Sequence, residues 1–210
     1  MKDETKNHWE KIYETKVETD FSWFQQYPKT SVDFINLFNL PKEAKIIDIG
    51  GGDSHLADAL IELGFVNIFV LDISAKAIER AKARLGDKAQ LVNWIISDIA
   101  EYEPPTTFDF WHDRAAFHFL TGESQIKHYT ISVSRAIKPD GYLVLGTFSE
   151  GGPKKCSELE IRQYTETSMS HLFNNHFKRI KCIEENHTTP FNTVQNFVFC
   201  SFQKLTRPVL

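Results

Sequence analysis

The sequence predicts an α/β fold, a largely parallel sheet with helices on both faces and an antiparallel hairpin closing one edge. Three observations carry this. From residue 44 onward, short β-branched runs alternate four times with stretches of helical periodicity. The first run, Ile46-Ile47-Asp48-Ile49, opens directly onto Gly50-Gly51-Gly52. The tail changes rhythm and sets two strand-like runs side by side with no helix between them.

Residues 45–49 read as a buried strand and 56–63 as a helix that stops at Gly64. Residues 66–71 make a second strand, ending in Asp72. Ser74 caps the next helix, whose apolar positions Ala77, Ile78, Ala81 and Leu85 recur at helical spacing before Gly86. Residues 90–96 form a third strand with Asp98 just beyond it, and 108–112 a fourth, after the breaker Pro104-Pro105. A helix over 123–137, closed by Lys138-Pro139-Asp140-Gly141, leads to a fifth strand over 142–148. A helix over 166–173 precedes the two edge strands, 177–185 and 193–202. Ahead of residue 44 lie helices at 7–17 and 29–40, joined by the aromatic stretch Phe21-Ser22-Trp23-Phe24-Gln25-Gln26-Tyr27.

A chain of 210 residues is long enough for one such domain with a sizeable core. Its net charge of -4 argues against a general nucleic-acid footprint, so no nucleic-acid partner is expected. No apolar run approaches a membrane span, and the start, Met-Lys-Asp-Glu-Thr-Lys, has no apolar signal core behind it. No membrane partner and a cytoplasmic location are therefore expected. The three cysteines form neither a CxxC pair nor a zinc spacing, so no metal site is expected. Cys182 and Cys200 sit in apolar runs and read as small core residues, whereas Cys156 sits in a polar loop.

In open parallel sheets, ligands lie at the carboxyl ends of the strands, near the switch in strand order. A glycine turn there lets the backbone approach a ligand, and the next helix presents unpaired N–H groups. A dinucleotide fingerprint would need its third glycine where His55 stands. Asp48 and Asp53 flanking the turn would repel a pyrophosphate, and no Gly-Lys-Ser/Thr follows for a P-loop. A cationic, phosphate-free nucleoside suits these acids better. Asp72, twenty-two positions after Gly50, is placed to accept from ribose hydroxyls. Asp98 is placed to accept from an adenine amino group, and acids at the first turn to pair with an ammonium. Ammonium, ribose and adenine in that order describe S-adenosylmethionine. Asp48 lies within its strand and needs a partner there.

The stretches IIDIGGGDS, VLDIS, ISDIA and IKPDGYLVLGTF resemble, in order and spacing, the motifs of class I S-adenosylmethionine-dependent methyltransferases, over roughly residues 44–150. The family's last motif glycine falls on Ser54. The resemblance implies a Rossmann-like seven-stranded mixed sheet of order 3-2-1-4-5-7-6, with residues 1–43 as a helical lid over a methyltransferase domain at 44–210. It implies S-adenosylmethionine as cofactor, surrounded by Asp48, Gly50, Gly51, Gly52, Asp72, Ile73, Asp98, Ile99 and Asp113. Trp23, Phe24 and Tyr27 would close over it from the N-terminal side. Trp9, Ile12, Tyr13 and Val17 form an apolar stripe suited to packing.

The acceptor pocket is expected beyond the fourth strand. No Asn/Asp-Pro-Pro-Tyr stands there, so DNA amino-methylation is not expected. Trp111-His112-Asp113-Arg114-Ala115-Ala116 is similar to a region of thiopurine methyltransferases, as is the later Gly152-Pro153. That likeness puts Asp113, Arg114 and His118 near the acceptor, with Arg114 favouring an anion and His118 taking a proton. The alternative is that Asp113 and Arg114 pair with each other and His118 packs in the core. Cys156, Ser157, Arg162 and Tyr164 in the 150–164 loop, and His187 or Gln195 in the tail, are further acceptor-side candidates. The expected activity is methyl transfer to a small-molecule acceptor, with a thiol favoured. The competing readings are a protein lysine methyltransferase and a cofactor-binding module without turnover.

Overall fold

The computed structural model of the chain describes residues 2–206, apart from the side chains of Lys2 and Asp3. The strands are β1 (Lys45–Ile49), β2 (Asn67–Asp72), β3 (Val92–Ile96), β4 (Phe108–Arg114) and β5 (Ile137–Phe148). They are followed by a short hairpin, β6 (Lys155–Cys156) with β7 (Leu159–Glu160), and the long edge pair β8 (Phe177–Thr188) and β9 (Val194–Lys204). The helices are α1 (Lys2–Thr15), α2 (Lys29–Leu37), α3 (Leu56–Glu62), α4 (Ala75–Leu85), α5 (Glu123–Ala136) and α6 (Glu166–Phe173).

The main sheet runs β3-β2-β1-β4-β5-β9-β8. β1 to β5 pair in parallel, and β9 is antiparallel to both β5 and β8. With the short hairpin set aside, this is the predicted order 3-2-1-4-5-7-6. The order reverses between β1 and β4, which opens a crevice at their carboxyl ends. Successive strand residues face opposite sides of the sheet. Ile47, Ile49, Trp111 and Leu143 therefore pack with Tyr129 of α5 and Phe173 of α6. Ile46, Phe110 and Val144 pack with Phe34 and Ile35 of α2 and Leu60 of α3 on the other face. Asp48 and His112 share that second face, as neighbours in the β1–β4 register.

Ser74 caps α4 as predicted, its hydroxyl accepting from the Ala77 amide at 3.1 Å. α1 lies across this cap. Ile12 and Tyr13 bury against Phe21 and Ala77, but polar contacts fix the position of α1. The Glu10 carboxylate accepts from Ser74 Oγ (2.8 Å) and from the amides of Ala75 (2.9 Å) and Lys76 (3.0 Å). A side chain from α1 thus satisfies first-turn donors of α4, where the helix dipole favours negative charge. Arg80 of α4 returns the contact by donating to the carbonyls of Tyr13 (3.2 Å) and Lys16 (2.5 Å) at the far end of α1.

Several expectations are corrected. α1 starts earlier than residue 7 and stops at Thr15, leaving Val17 outside the packing stripe and 61% exposed. α2 stops at Leu37, short of residue 40. Lys138–Gly141 does not lie outside the fifth strand. Ile137 already pairs with Phe108, a register shift follows, and Asp140 takes a φ of 62° within β5. Cys182 and Cys200 are not separate core residues, because they stand opposite each other across β8 and β9 and form a disulfide. Hydropathy cannot distinguish a core cysteine from half of a cross-strand pair, because that depends on register. Among the described residues, no helix is long and apolar enough to cross a membrane.

Removing the Glu10 carboxylate should loosen the α1–α4 contact. Glu10→Ala is expected to cost about 1 kcal/mol, the scale of losing a helix-cap acceptor. Burial raises the Glu10 pKa, but hydrogen bonds from Lys76, Ser74 and Ala75 outweigh it and bring the group below the ordinary carboxylate value. A lowered folded-state pKa gives stability that is present at neutral pH and lost as pH falls through that value. Urea titrations near pH 7 and near pH 4 should show the gap between wild type and variant narrowing at the lower pH.

Candidate active site

At the end of β1 the chain turns sharply, and the amides of Gly50 and Gly51 both donate to the Leu71 carbonyl, at 2.7 and 3.2 Å. Gly50 has a φ of +66°, and a Cβ there would lie 2.7 Å from Ala116 Cβ. A Cβ at Gly51 would overlap the Asp48 carboxylate, and one at Gly52 would come within 2.6 Å of Asp72 Oδ2. Glycine is therefore required at Gly50 by its positive φ and the Ala116 methyl, and at Gly51 and Gly52 largely by the protein's own acids, before any ligand is considered. Asp72 is held by two amides, accepting from Gly52 at 3.0 Å and from Ser74 at 2.8 Å. Burial pushes its carboxyl up, against those two bonds, to about 6.

Two adjoining cavities open at the switch point. The larger, about 160 Å³, is walled by Gly50, Asp72, Ile73, Asp98 and Ile99 at the strand ends and by Ala116, Phe119 and Leu120 beyond β4. Trp9, Tyr13 and Trp23 bound it from the N-terminal segment. The smaller, about 50 Å³, is walled by Asp48, Gly50, Gly51, Ser31 and His112, with Phe24 at its rim. Tyr13, Trp23, Gly50 and Arg114 belong to both. One cleft therefore collects Asp48, Gly50, Gly51, Asp72, Ile73, Asp98, Ile99, Trp23 and Phe24, while Gly52 stands behind it, bonded to Asp72. Tyr27 lies on neither wall and is 51% exposed.

The donor set fits a cationic nucleoside. Asp48 is buried, and its Oδ1 accepts from His112 Nδ1 at 2.6 Å. Its Oδ2 is buried with no hydrogen-bond partner among the described residues. An unpaired buried carboxylate oxygen is costly, and an ammonium would satisfy both its geometry and its charge. Asp98 accepts from the Ala100 amide at 2.8 Å on the wall of the larger cavity. Among the described residues, no group of three or more His, Cys, Asp or Glu is placed to hold a metal ion.

The residues expected at the acceptor divide. Arg114 reaches the cleft, where Nη1 donates to the Trp23 carbonyl at 3.0 Å and the guanidinium lies 5.0 Å from the Phe197 ring centre. Its Nη2 is buried with no partner among the described residues. Burial lowers its pKa to about 10, which still leaves it a cation at neutral pH. Asp113 does not join it. Pointing to the opposite face of the sheet, it accepts from the amides of Ala116 and Phe117, both at 3.0 Å, and from the Tyr129 hydroxyl at 2.8 Å. It is bonded to these groups and not to Arg114, lines neither of the two cavities, and shapes the turn after β4. His118 is corrected in the same way. It is fully buried, packed against Phe148 and Phe119, and its Nδ1 accepts from the Phe148 amide at 3.4 Å. Burial and the nearby Arg114 lower its pKa to about 3, and it lines neither cavity.

Of the loop candidates, Cys156 reaches the larger cavity, but burial pushes its thiol up to about 12. Ser157 sits in the β6–β7 turn with a φ of 47°, and Arg162 pairs with Glu123 at 2.5 Å. Tyr164 is buried and stacks on Phe117, 5.1 Å between ring centres. His187 bonds the Ser22 carbonyl at 2.7 Å and faces Gln195 across the β8–β9 register. Sequence reasoning missed Ser31 and His112. Strand parity carried the signal for His112, because it places His112 and Arg114 on one face and Trp111 and Asp113 on the other. Ser31 carried no such signal, since it arrives on α2 from far along the chain.

Residues 47–143 match a family model described as a methyltransferase domain. Mouse eEF1A lysine and N-terminal methyltransferase is 29% identical over 122 residues, covering 57% of this chain and 17% of the relative. Mouse EEF1A lysine methyltransferase 2 is 24% identical over 161 residues, covering 67% of this chain and 64% of the relative. The chain thus spans less than two thirds of either relative's length. A solved S-adenosylmethionine-dependent methyltransferase from Methanosarcina mazei superposes with a TM-score of 0.70 at 18% identity, covering 88% of this chain and 100% of that one. The cofactor is S-adenosylmethionine. If Asp72 accepts from the nucleoside hydroxyls, as its place at the end of β2 leads one to expect, it must do so ionised; with its carboxyl raised to about 6, affinity should then rise with pH up to that value and level. Below it, affinity should fall by up to about tenfold per pH unit. Titration calorimetry with S-adenosylhomocysteine should show this bend in the wild type and lose it in Asp72→Asn. Residues 47–143 are thus similar to a methyltransferase domain, and the sheet around them has the strand order and fold of the class I S-adenosylmethionine-dependent methyltransferases.

Proposed function

We propose that this domain methylates a small anionic acceptor, a thiolate by preference, beneath a lid formed by residues 1–43. The observation that carries this reading is Arg114, a buried cation shared by both cavities with one nitrogen unpartnered among the described residues. When bound, S-adenosylmethionine supplies a methyl group on a positive sulfur, to be met in line by a nucleophile with water excluded. The residues around the larger cavity offer little help in removing a proton. Burial holds the Tyr13 hydroxyl well above its ordinary value and Cys156 near 12, while Asp72 and Asp98 already accept backbone amides. An acceptor that arrives ionised needs no base, only a counter-charge and orientation, and Arg114 provides both.

The lid reading rests on Trp9, Tyr13 and Trp23 bounding the cavity, and on the Glu10 and Arg80 contacts that hold α1 in place. A second reading, methylation of a protein lysine, is supported by the names of the two mouse relatives. A lysine would have to lose its proton beside a buried guanidinium, and Coulomb repulsion works against bringing the ammonium there.

Incubation with methyl-labelled cofactor and a panel of thiols, carboxylic acids and lysine peptides separates the readings. Transfer to thiols is expected; transfer to lysine peptides alone removes the proposal. Arg114→Met should lower kcat/KM for the thiol about 10- to 100-fold, the scale of one charge-assisted hydrogen bond. S-adenosylhomocysteine affinity should stay within about threefold. An equal loss of cofactor affinity would assign Arg114 to the cofactor's carboxylate instead.

A further inference from the structure

We propose that His112 is a positioning residue, holding the Asp48 carboxylate so that its free oxygen receives the ammonium of the bound cofactor. The proposal rests on S-adenosylmethionine being the ligand of this cleft. Asp48 and His112 are direct neighbours in the β1–β4 register, on the sheet face covered by α2. His112 Nδ1 lies 2.6 Å from Asp48 Oδ1, and its Nε2 lies 2.8 Å from Ser31 Oγ. All three residues are buried, at 2%, 2% and 1% exposure. A carboxylate only accepts, so the imidazole carries a proton on Nδ1, and its Nε2 shares the second hydrogen bond with the Ser31 hydroxyl. Both ring nitrogens are thereby committed, and the carboxylate is fixed in one rotamer.

That rotamer leaves Oδ2 buried and unpartnered among the described residues, on the wall of the smaller cavity beside Gly51. Only the missing Cβ at Gly51 makes room for it. An acceptor oxygen kept out of water without a donor is destabilising until a ligand supplies one, and a cationic donor recovers the most. The order Ser–His–Asp also describes a hydrolytic triad, but such a site needs free donors for an oxyanion beside the serine. Here the neighbouring Val32 amide already donates to the Pro28 carbonyl at 3.0 Å, so the geometry supports positioning and not acyl transfer. The chain from Ser31 through His112 to Asp48 also ties α2, within the N-terminal segment, to the cofactor's amino-acid end.

Two ligands isolate the effect. S-adenosylhomocysteine carries the ammonium, whereas 5′-methylthioadenosine shares the nucleoside and the sulfur but has no amino acid. His112→Leu should weaken S-adenosylhomocysteine about tenfold in calorimetry and leave 5′-methylthioadenosine within about twofold. His112→Asn, which keeps a donor near the Nδ1 position, should recover most of the loss, and His112→Gln should not. Should the leucine variant fail to fold, the asparagine and glutamine pair decides by the same comparison. Equal weakening of both ligands, no weakening of either, or asparagine behaving like leucine would each overturn the proposal. A wild-type protein that binds 5′-methylthioadenosine and S-adenosylhomocysteine equally well would overturn it while leaving the nucleoside site intact. A wild-type protein that binds neither would overturn the cofactor reading and this proposal with it.

Discussion

The site depends on one close approach, that of the Gly50–Gly52 backbone to two buried carboxylates. With any side chain at Gly51 or Gly52, Asp48 and Asp72 could not stand where they do. Placing two acids around one turn is unfavourable, and Asp72 registers the cost. Burial comes first among the causes that raise its pKa, and the charge of Asp48 adds to it. The fold offsets this locally, through amides donated to Asp72 and an imidazole donated to Asp48. The remainder is left for a ligand. A cleft built this way favours a cation carrying several hydrogen-bond donors, and binding of such a ligand stabilises the folded state by mass action.

Charge is also what organises the layers around that turn. α1 is short of buried apolar residues, and its position is set by Glu10 at the start of α4 and Arg80 at its own end. α2 is tied through Ser31 to the acid beneath the glycines. Arg114 reaches the carbonyl of Trp23 from the end of β4. Each element that covers the cleft is thus anchored by a polar contact at or near the cofactor site.

The glycine turn and the acids around it were legible because a turn is a local event. A strand, three glycines and an acid at the end of the next two strands fix their own relative positions once the sheet is parallel. The acceptor half was not legible to the same degree. Asp113 and Arg114 are adjacent in sequence yet lie on opposite faces of the sheet, so the expectation that they act or pair together fails on the twofold period of a strand. His118 lies one turn beyond, and the short helical segment containing it rotates the imidazole into the core, leaving Phe119 on the cavity wall. The Cys182–Cys200 pairing follows from how β8 lines up with β9, a register that neither strand encodes alone.

By itself the sequence determined the alternation of strands and helices, the antiparallel closing edge, the glycine turn and the acids set around it. These follow from periodicity and spacing, which are properties of neighbouring residues. Tertiary structure decided which side chains meet from distant segments. It brought Ser31 to His112, Glu10 to the first turn of α4 and Trp23 to Arg114, and it turned Asp113 and His118 away. Such meetings depend on how a helix docks on a sheet face, and that is set by the packing of the whole core.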